Sequence, residues 1–256
     1  MSSSEPTTSS NDHGSPVLNT GESGQANAST SDDHRRRQAL EQKLKSCPTD
    51  RDSFLELAEL YRKDGLPLHA SRVLKDAHEV FPDDDEVLWQ WEEAQLERSV
   101  QQLVVMRQMA EETKSIALDH DLERCHVDWA NCRLRICRAR LKRQPERDYL
   151  RLVLGEALYD LEQYDDALDE LQLLTESDTH GPAALLLMGR CHLVSSRDLH
   201  AMQCLRAASI RRAVVGAPKV RQAALRLLVD LADRHGMTAT LEIYRQTLDT
   251  LTVEST

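Results

Sequence analysis

Aromatic residues are scarce in this chain: two Phe, five Tyr and three Trp among 256 residues. Only nine glycines and eight prolines accompany them. A β-sandwich or barrel needs aromatic and turn-forming residues in larger supply, so those folds are disfavoured. No run approaches the roughly 18 apolar residues that a membrane span requires. The start of the chain has no basic stretch followed by an apolar one, so no secretory leader is expected. No C-x2-C pair occurs, and the six cysteines sit inside helical patterns, which argues against a disulfide framework or a structural zinc site. Cys125 and Cys132 share a face with Trp129 and Ile136 and read as small packed hydrophobes. His126 points roughly 100° away from its neighbour Cys125, so it is a poor co-ligand. A Gly-rich phosphate loop, H-E-x-x-H and G-x-S-x-G are all missing. His69, His78, His192 and His200 read as helix-surface or packing residues. No catalytic residue, cofactor or metal is therefore expected, and the chain reads as a non-enzyme.

Beyond the first thirty-odd residues, Ala, Leu, Glu, Gln and Arg dominate, which favours helix. The formal charge of -11 argues against tight nonspecific binding of the whole chain to nucleic acid or to an anionic membrane. Residues 1–33 are rich in Ser, Thr, Asn, Asp and Gly and carry almost nothing apolar. Such a segment cannot offset its ordering entropy and is expected to be a disordered tail. The expected location is cytoplasmic.

A pattern of thirty-four residues runs through most of the remainder. Counting from Arg51, Leu57, Ala58, Tyr61, Gly65, Ala70, Leu74, Ala77 and Pro82 fall at positions 7, 8, 11, 15, 20, 24, 27 and 32. Counting from Asp148, Leu154, Gly155, Leu158, Ala167, Leu171 and Leu174 take positions 7, 8, 11, 20, 24 and 27. From Pro182 they hold Met188, Gly189, His192, Ala201, Leu205 and Ala208. A looser copy from Gln222 has Leu228, Val229, Ala232, Gly236, Leu241 and Leu248, with Arg245 at position 24. Position 15 is Glu162 in the second copy and Ser196 in the third.

These residues resemble the tetratricopeptide repeat family, and Ala157 to Ala167 is especially close to that family's loop region. The resemblance implies an all-α, right-handed helical-repeat solenoid of antiparallel helix pairs with an N-terminal disordered tail. Small residues at positions 8 and 20 would let the two helices of a repeat approach, and the one at 27 would let the next repeat stack. The family's usual product is a binding surface. In it, the concave groove is lined by first helices at positions 2, 5, 9, 12 and 13. Carried over, the resemblance points to Asp52, Leu55, Glu59, Arg62 and Lys63 in the first repeat. In the second it points to Tyr149, Leu152, Glu156, Tyr159 and Asp160, and in the third to Ala183, Leu186, Arg190, Leu193 and Val194. The implied function is a protein–protein scaffold or adaptor that takes a peptide or helix of a partner. Leu55 and Glu59 stand where a clamp for a C-terminal carboxylate would need other residues.

Between Asp85 and Gln144 the pattern lapses, because Glu92 takes the small position 8. Helical periodicity persists as a long helix from Asp85 to about Ala117 and another from about Asp121 to Arg143, with Asp119-His120-Asp121 as the expected turn. Trp89, Leu96, Val100, Leu103 and Ala110 make one apolar stripe of the first helix; Trp91, Val105, Met109 and Ile116 make a second. Two stripes predict neighbours on two sides. Residues 83–97 carry seven acids and no base, whereas 133–147 carry seven bases and the single acid Glu146. A hairpin would lay these runs side by side, setting register more than stability.

Val87 to Glu93 also resembles the half-a-tetratricopeptide repeat of RNA-processing assemblies. That alternative implies a ribonucleoprotein subunit, with Arg138, Arg140 and Lys142 as contacts. The domain reading is a tail (1–33) and a solenoid (34–251). The solenoid comprises a leading helix capped by Asp32 or Asp33, a repeat (51–84), an irregular hairpin (85–147), two repeats (148–181 and 182–215) and a degenerate repeat with a cap (219–251). Leu241, Tyr244 and Leu248 make the last helix apolar, which suggests self-association there.

Overall fold

Four turns between helices share one backbone solution. Gly65, Glu162, Ser196 and Gly236 have φ of 69°, 60°, 56° and 64°. The residue after each donates its N–H to the carbonyl five positions back. These bonds are Leu66 to Tyr61 (2.9 Å), Gln163 to Leu158 (2.9 Å), Arg197 to His192 (2.8 Å) and Met237 to Ala232 (2.9 Å). This six-to-one closure of a helix end needs one left-handed residue. All four occupy position 15 of their thirty-four-residue frames, so the turn geometry recurs even where glutamate or serine has replaced glycine.

A computed structural model describes residues 22–210 and 216–254, with side chains from 32 to 210 and from 216 to 252. Among the described residues there is helix and no strand. The fold is all-α and of helical-repeat type, with antiparallel helix pairs that pack in chain order within each unit. It divides into two compact units at Asp83 and Asp84.

The first unit holds α1 (Glu22–Ser46), α2 (Arg51–Lys63) and α3 (Pro67–Val80). Asp50 caps α2 by accepting from the Ser53 N–H at 3.3 Å, and Pro67 opens α3 with the φ its ring fixes. Leu40, Leu57 and Leu60 form a small core with Leu44, Tyr61 and Val73 against it. Ion pairs tie α1 to its neighbours: Arg36 grips Glu56 with two bonds (2.6 and 2.9 Å), and Arg37 meets Asp64 at 2.8 Å. α1 begins at Glu22, so Asp32 and Asp33, expected as its caps, lie within it instead. Helix nucleation is the costly step, so a nucleus at 34–46 extends backwards cheaply through a stretch containing Gln25, Ala26 and Ala28. Residues 1–21 lie outside the described residues.

The second unit holds α4 (Asp85–Thr113), α5 (Ile116–Arg143), α6 (Asp148–Asp160), α7 (Tyr164–Gln172), α8 (Gly181–Val194), α9 (Asp198–Ile210), α10 (Pro218–Arg234) and α11 (Thr238–Glu254). Each packs on the next, and the first helices of successive pairs also touch, α6 on α8 and α8 on α10. The close approach within two pairs depends on glycine. A Cβ on Gly155 would lie 2.7 Å from Leu171, and one on Gly189 2.7 Å from Leu205. These are positions 8 and 24, so the nearest neighbour of position 8 is the leucine at 24 and not the small residue expected at 20. One continuous core runs from Cys137 and Leu150 to Leu251.

The turn of the long hairpin lies earlier than expected, at Lys114 and Ser115. Lys114 takes φ 48° and closes α4 on the Ala110 carbonyl, while extended Ser115 begins α5. Asp119 is in the first turn of α5, where an acid suits the helix dipole as well as it would suit a cap. The two-stripe reading also needs correction. Val100, Val105, Met109 and Ile116 are exposed, because the end of α6 lies beside Arg133. The stretch of α5 from Ile116 to Cys132 therefore runs about 25 Å past it at 1.5 Å per residue.

The opposed charge runs do face one another. Arg140 binds Glu92 at 2.7 Å and Glu93 at 2.6 Å, Arg143 binds Glu92 at 2.7 Å, and Arg135 donates to Gln95 at 2.6 Å. The central pair is not the exposed kind expected, since the Glu92 and Arg140 side chains are 6% and 4% exposed. In the last helix, Leu241 and Tyr244 are buried in the core and Arg245 is exposed. The apolar face that suggested self-association is thus turned inward onto the unit's own core.

Candidate functional site

Alternate helices of the second unit expose the side chains that their partners leave free. On α6, Leu150, Leu154, Ala157 and Leu158 face the core, which turns Glu156 and Asp160 the other way and leaves Tyr159 half-buried at the core's edge. On α8, burial of Ala184, Leu187, Met188 and Cys191 leaves Ala183, Leu186 and Arg190 on the corresponding side. These six residues line one open cavity of about 330 Å³. Arg133 of α5, Leu187 of α8 and Val220 of α10 complete it.

The floor is electrostatically specific. Arg133 is 9% exposed, bonds Asp160 through one terminal nitrogen and approaches Glu156 within 3.8 Å. Its guanidinium lies 4.7 Å from the centre of the Trp129 ring, and its Nε has no hydrogen-bond partner among the described residues. Burial pushes the Glu156 carboxyl above its ordinary value; Arg133 and Arg190 oppose the shift and Asp160 adds to it. The Glu156 side chain is still half exposed, so the groove walls restrict its solvent without closing it off. Tyr159 stands with its ring 5.6 Å from that of Tyr164, edge to face. Arg190 is exposed and is engaged in no ion pair among the described residues. Two cations and two anions, two aliphatic walls and a phenol therefore converge on one groove. Nothing in that set resembles a nucleophile held by a base.

The remaining expected groove residues are distributed differently. Tyr149 is exposed and accepts from Arg147 at 3.3 Å. Leu152 and Leu193 are half-buried against the core, and Val194 is exposed. Asp52, Leu55, Glu59, Arg62 and Lys63 lie on α2 in the first unit, with Arg62 and Lys63 near Glu59 at 3.9 and 4.0 Å. Arg133 and Val220 were not expected, because neither occupies a repeat position that the pattern marks. The only available cue for Arg133 was its place in the basic run.

Of the three basic residues that the ribonucleoprotein reading names, Arg140 is too buried to serve as a contact. It is buried against Glu92, Glu93 and the Trp89 ring at 3.6 Å, and Arg147 covers that ring at 4.9 Å. Arg138 and Lys142 remain exposed. Among the described residues no group of three or more His, Cys, Asp or Glu is placed to hold a metal. No described helix is long and apolar enough to cross a membrane.

No protein-family profile matches the chain, and no curated protein matches it in sequence. Among solved structures it is similar to the crystal structure of the MamA protein, at 14% identity and a TM-score of 0.42, over 72% of this chain and 85% of that one. It is also similar to a chain in the structure of Naa15/Naa10 bound to HypK-THB, at 18% identity and a TM-score of 0.34. That likeness covers 84% of this chain and 36% of the other, so this chain spans about a third of its length.

Proposed function

We propose that this chain is a non-catalytic tetratricopeptide-type scaffold whose groove across α5, α6, α8 and α10 takes a peptide or helix of a partner protein. The observation that carries the reading is the convergence of Glu156, Tyr159, Asp160 and Arg190, from two successive repeats, on one open cavity. Leu186 and Leu187 supply its apolar contacts, and the balanced charges fit a partner that is amphipathic, not uniformly charged. Six free thiols, two of them fully enclosed in the core, support a reducing, cytoplasmic setting. The inward-facing Leu241 and Tyr244 leave little support for self-association through α11.

The test is affinity purification of the tagged chain from its native cells, with and without nuclease. An Arg190→Glu, Tyr159→Ala variant serves in parallel. A stoichiometric protein partner that survives nuclease and is lost from the variant, at unchanged helical content, is the expected result. Retention by the variant overturns the groove. Loss on nuclease treatment alone transfers the function to a ribonucleoprotein and to Arg138 and Lys142.

A further inference from the structure

The first unit carries a second groove, on the opposite side of α2 from Leu55, Glu59 and Arg62. Its cavity of about 520 Å³ is lined by all three helices of that unit. Each contributes a row with helical spacing: Glu41, Leu44 and Pro48 from α1 and its end, Phe54, Leu57 and Tyr61 from α2, and Val73, Asp76 and Val80 from α3. Rows at i, i+3 and i+7 extend two turns, about 10 Å, along α2 and α3, and the α1 row leaves the helix before Pro48. Two helices therefore form parallel walls over a third that serves as floor, which is the shape of a seat for one more helix.

The seat is mainly apolar. Phe54 and Leu57 form a closed floor, Tyr61, Leu44 and Val73 are half-buried, and Val80 is 41% exposed at one end. Its rim is acidic: Glu41, Asp76 and Glu79 stand against the single base Lys45. Glu41 accepts the Tyr61 hydroxyl at 2.5 Å and Glu79 meets Lys75 at 3.4 Å. Asp76 is exposed and has no ion-pair partner among the described residues. That rim selects against an acidic occupant and favours a basic one.

We infer that this groove is a docking site for a basic amphipathic helix of a partner protein, which lays an apolar stripe over Phe54, Leu57 and Val73 and a Lys or Arg beside Asp76. It is separate from the groove on α6 and α8 and does not depend on it. Its occupant would be read by two turns of apolar anchors plus one or two cationic side chains.

The probe is a pair of short, fluorescein-labelled helical peptides with the same leucine stripe, one flanked by arginine and the other by glutamate. Binding to the full chain is followed by fluorescence anisotropy at low salt. The arginine peptide is expected to saturate and to bind about fivefold or more tighter than the glutamate peptide, the gain of one or two exposed ion pairs. Asp76→Lys with Glu79→Lys should abolish that preference. Val80→Gln, which adds no charge and sits at an exposed end, should weaken the arginine peptide about fivefold by removing apolar contact. Arg190→Glu in the other unit should change nothing. Equal affinity of the two peptides, saturation by neither, or indifference to both groove variants overturns the proposal. Concentration-dependent self-association abolished by Val80→Gln would give the seat to a second copy and overturn it equally.

Discussion

At the scale of single residues, the positive φ at Glu162 and Ser196 has a measurable consequence. An L-residue in the left-handed region is about 1–2 kcal/mol less favourable than in the right-handed one, whereas glycine tolerates both. Part of that gain is lost because glycine also loosens the unfolded chain, by about 0.5–1 kcal/mol. Glu162→Gly and Ser196→Gly should each stabilise the protein by about 0.5–1 kcal/mol in urea unfolding, and Gly236→Ala should destabilise it by a similar amount. The repeat pattern marked position 15, but only the structure shows that the turn is kept when glycine is not. His192 makes a different residue-scale case. Its Nδ1 is buried without a hydrogen-bond partner, and its ring lies 5.4 Å from that of His200. Burial lowers its pKa, with Arg197 and His200 adding to the shift and Asp165 opposing it. The folded state therefore binds its proton less readily than the unfolded chain, so its stabilising contribution is present above about pH 6.5 and is lost as the pH falls. His192→Phe should narrow the loss of urea midpoint between about pH 7.5 and pH 5.5 relative to the parent protein. An unchanged difference would show that the ring titrates normally.

At the scale of elements, the long hairpin is where sequence and structure part company. Opposed charge runs predicted the pairing of α4 with α5, and the pairs are there. Periodicity could not say that Glu92, in a slot where other repeats place alanine, glycine or valine, would be buried. A carboxylate is admitted there because Arg140 and Arg143 both reach it. The sequence does not mark the turn for a related reason: Asp119 is equally favourable as a cap or within a first turn, and Thr113, Lys114 and Ser115 carry no glycine or proline at the break. Breaking a buried pair by removing one partner typically costs about 3–5 kcal/mol, while replacing both with apolar residues is often neutral. Arg140→Met should therefore be strongly destabilising, and Glu92→Leu with Arg140→Met much less so than the two single changes added together. Additive effects in a double-mutant cycle would mean that the pair contributes nothing beyond its separate parts. The groove followed the same division: repeat positions marked Glu156, Tyr159 and Arg190, but Arg133 comes from an element with no repeat register and was invisible to that reading.

At the scale of the whole molecule, the distribution of buried apolar side chains sets the order in which parts open. A single core links α5 through α11, and its largest enclosed side chains, among them Leu154, Leu158, Leu171, Leu205, Leu225 and Leu228, all lie between Asp148 and Arg234. The distal hairpin from Arg98 to Asp128 has only Leu103 and Ala110 buried, while Val100, Val104, Val105, Met109, Ile116 and Val127 are exposed. In a linear array each helix pair is held by its neighbours, so a pair flanked on both sides is more stable than one that projects beyond them. Local opening free energies span the range from near zero to the global value according to such contact. Native-state hydrogen exchange should therefore show the slowest amides in α6, α8 and α10 and much faster exchange in residues 98–128, although every one of those segments is helical. Slow exchange throughout 98–128 in the isolated chain would mean that this arm is covered in solution. A partner seated on its exposed valines would have the same effect, and the change in protection on adding that partner would locate the seat residue by residue.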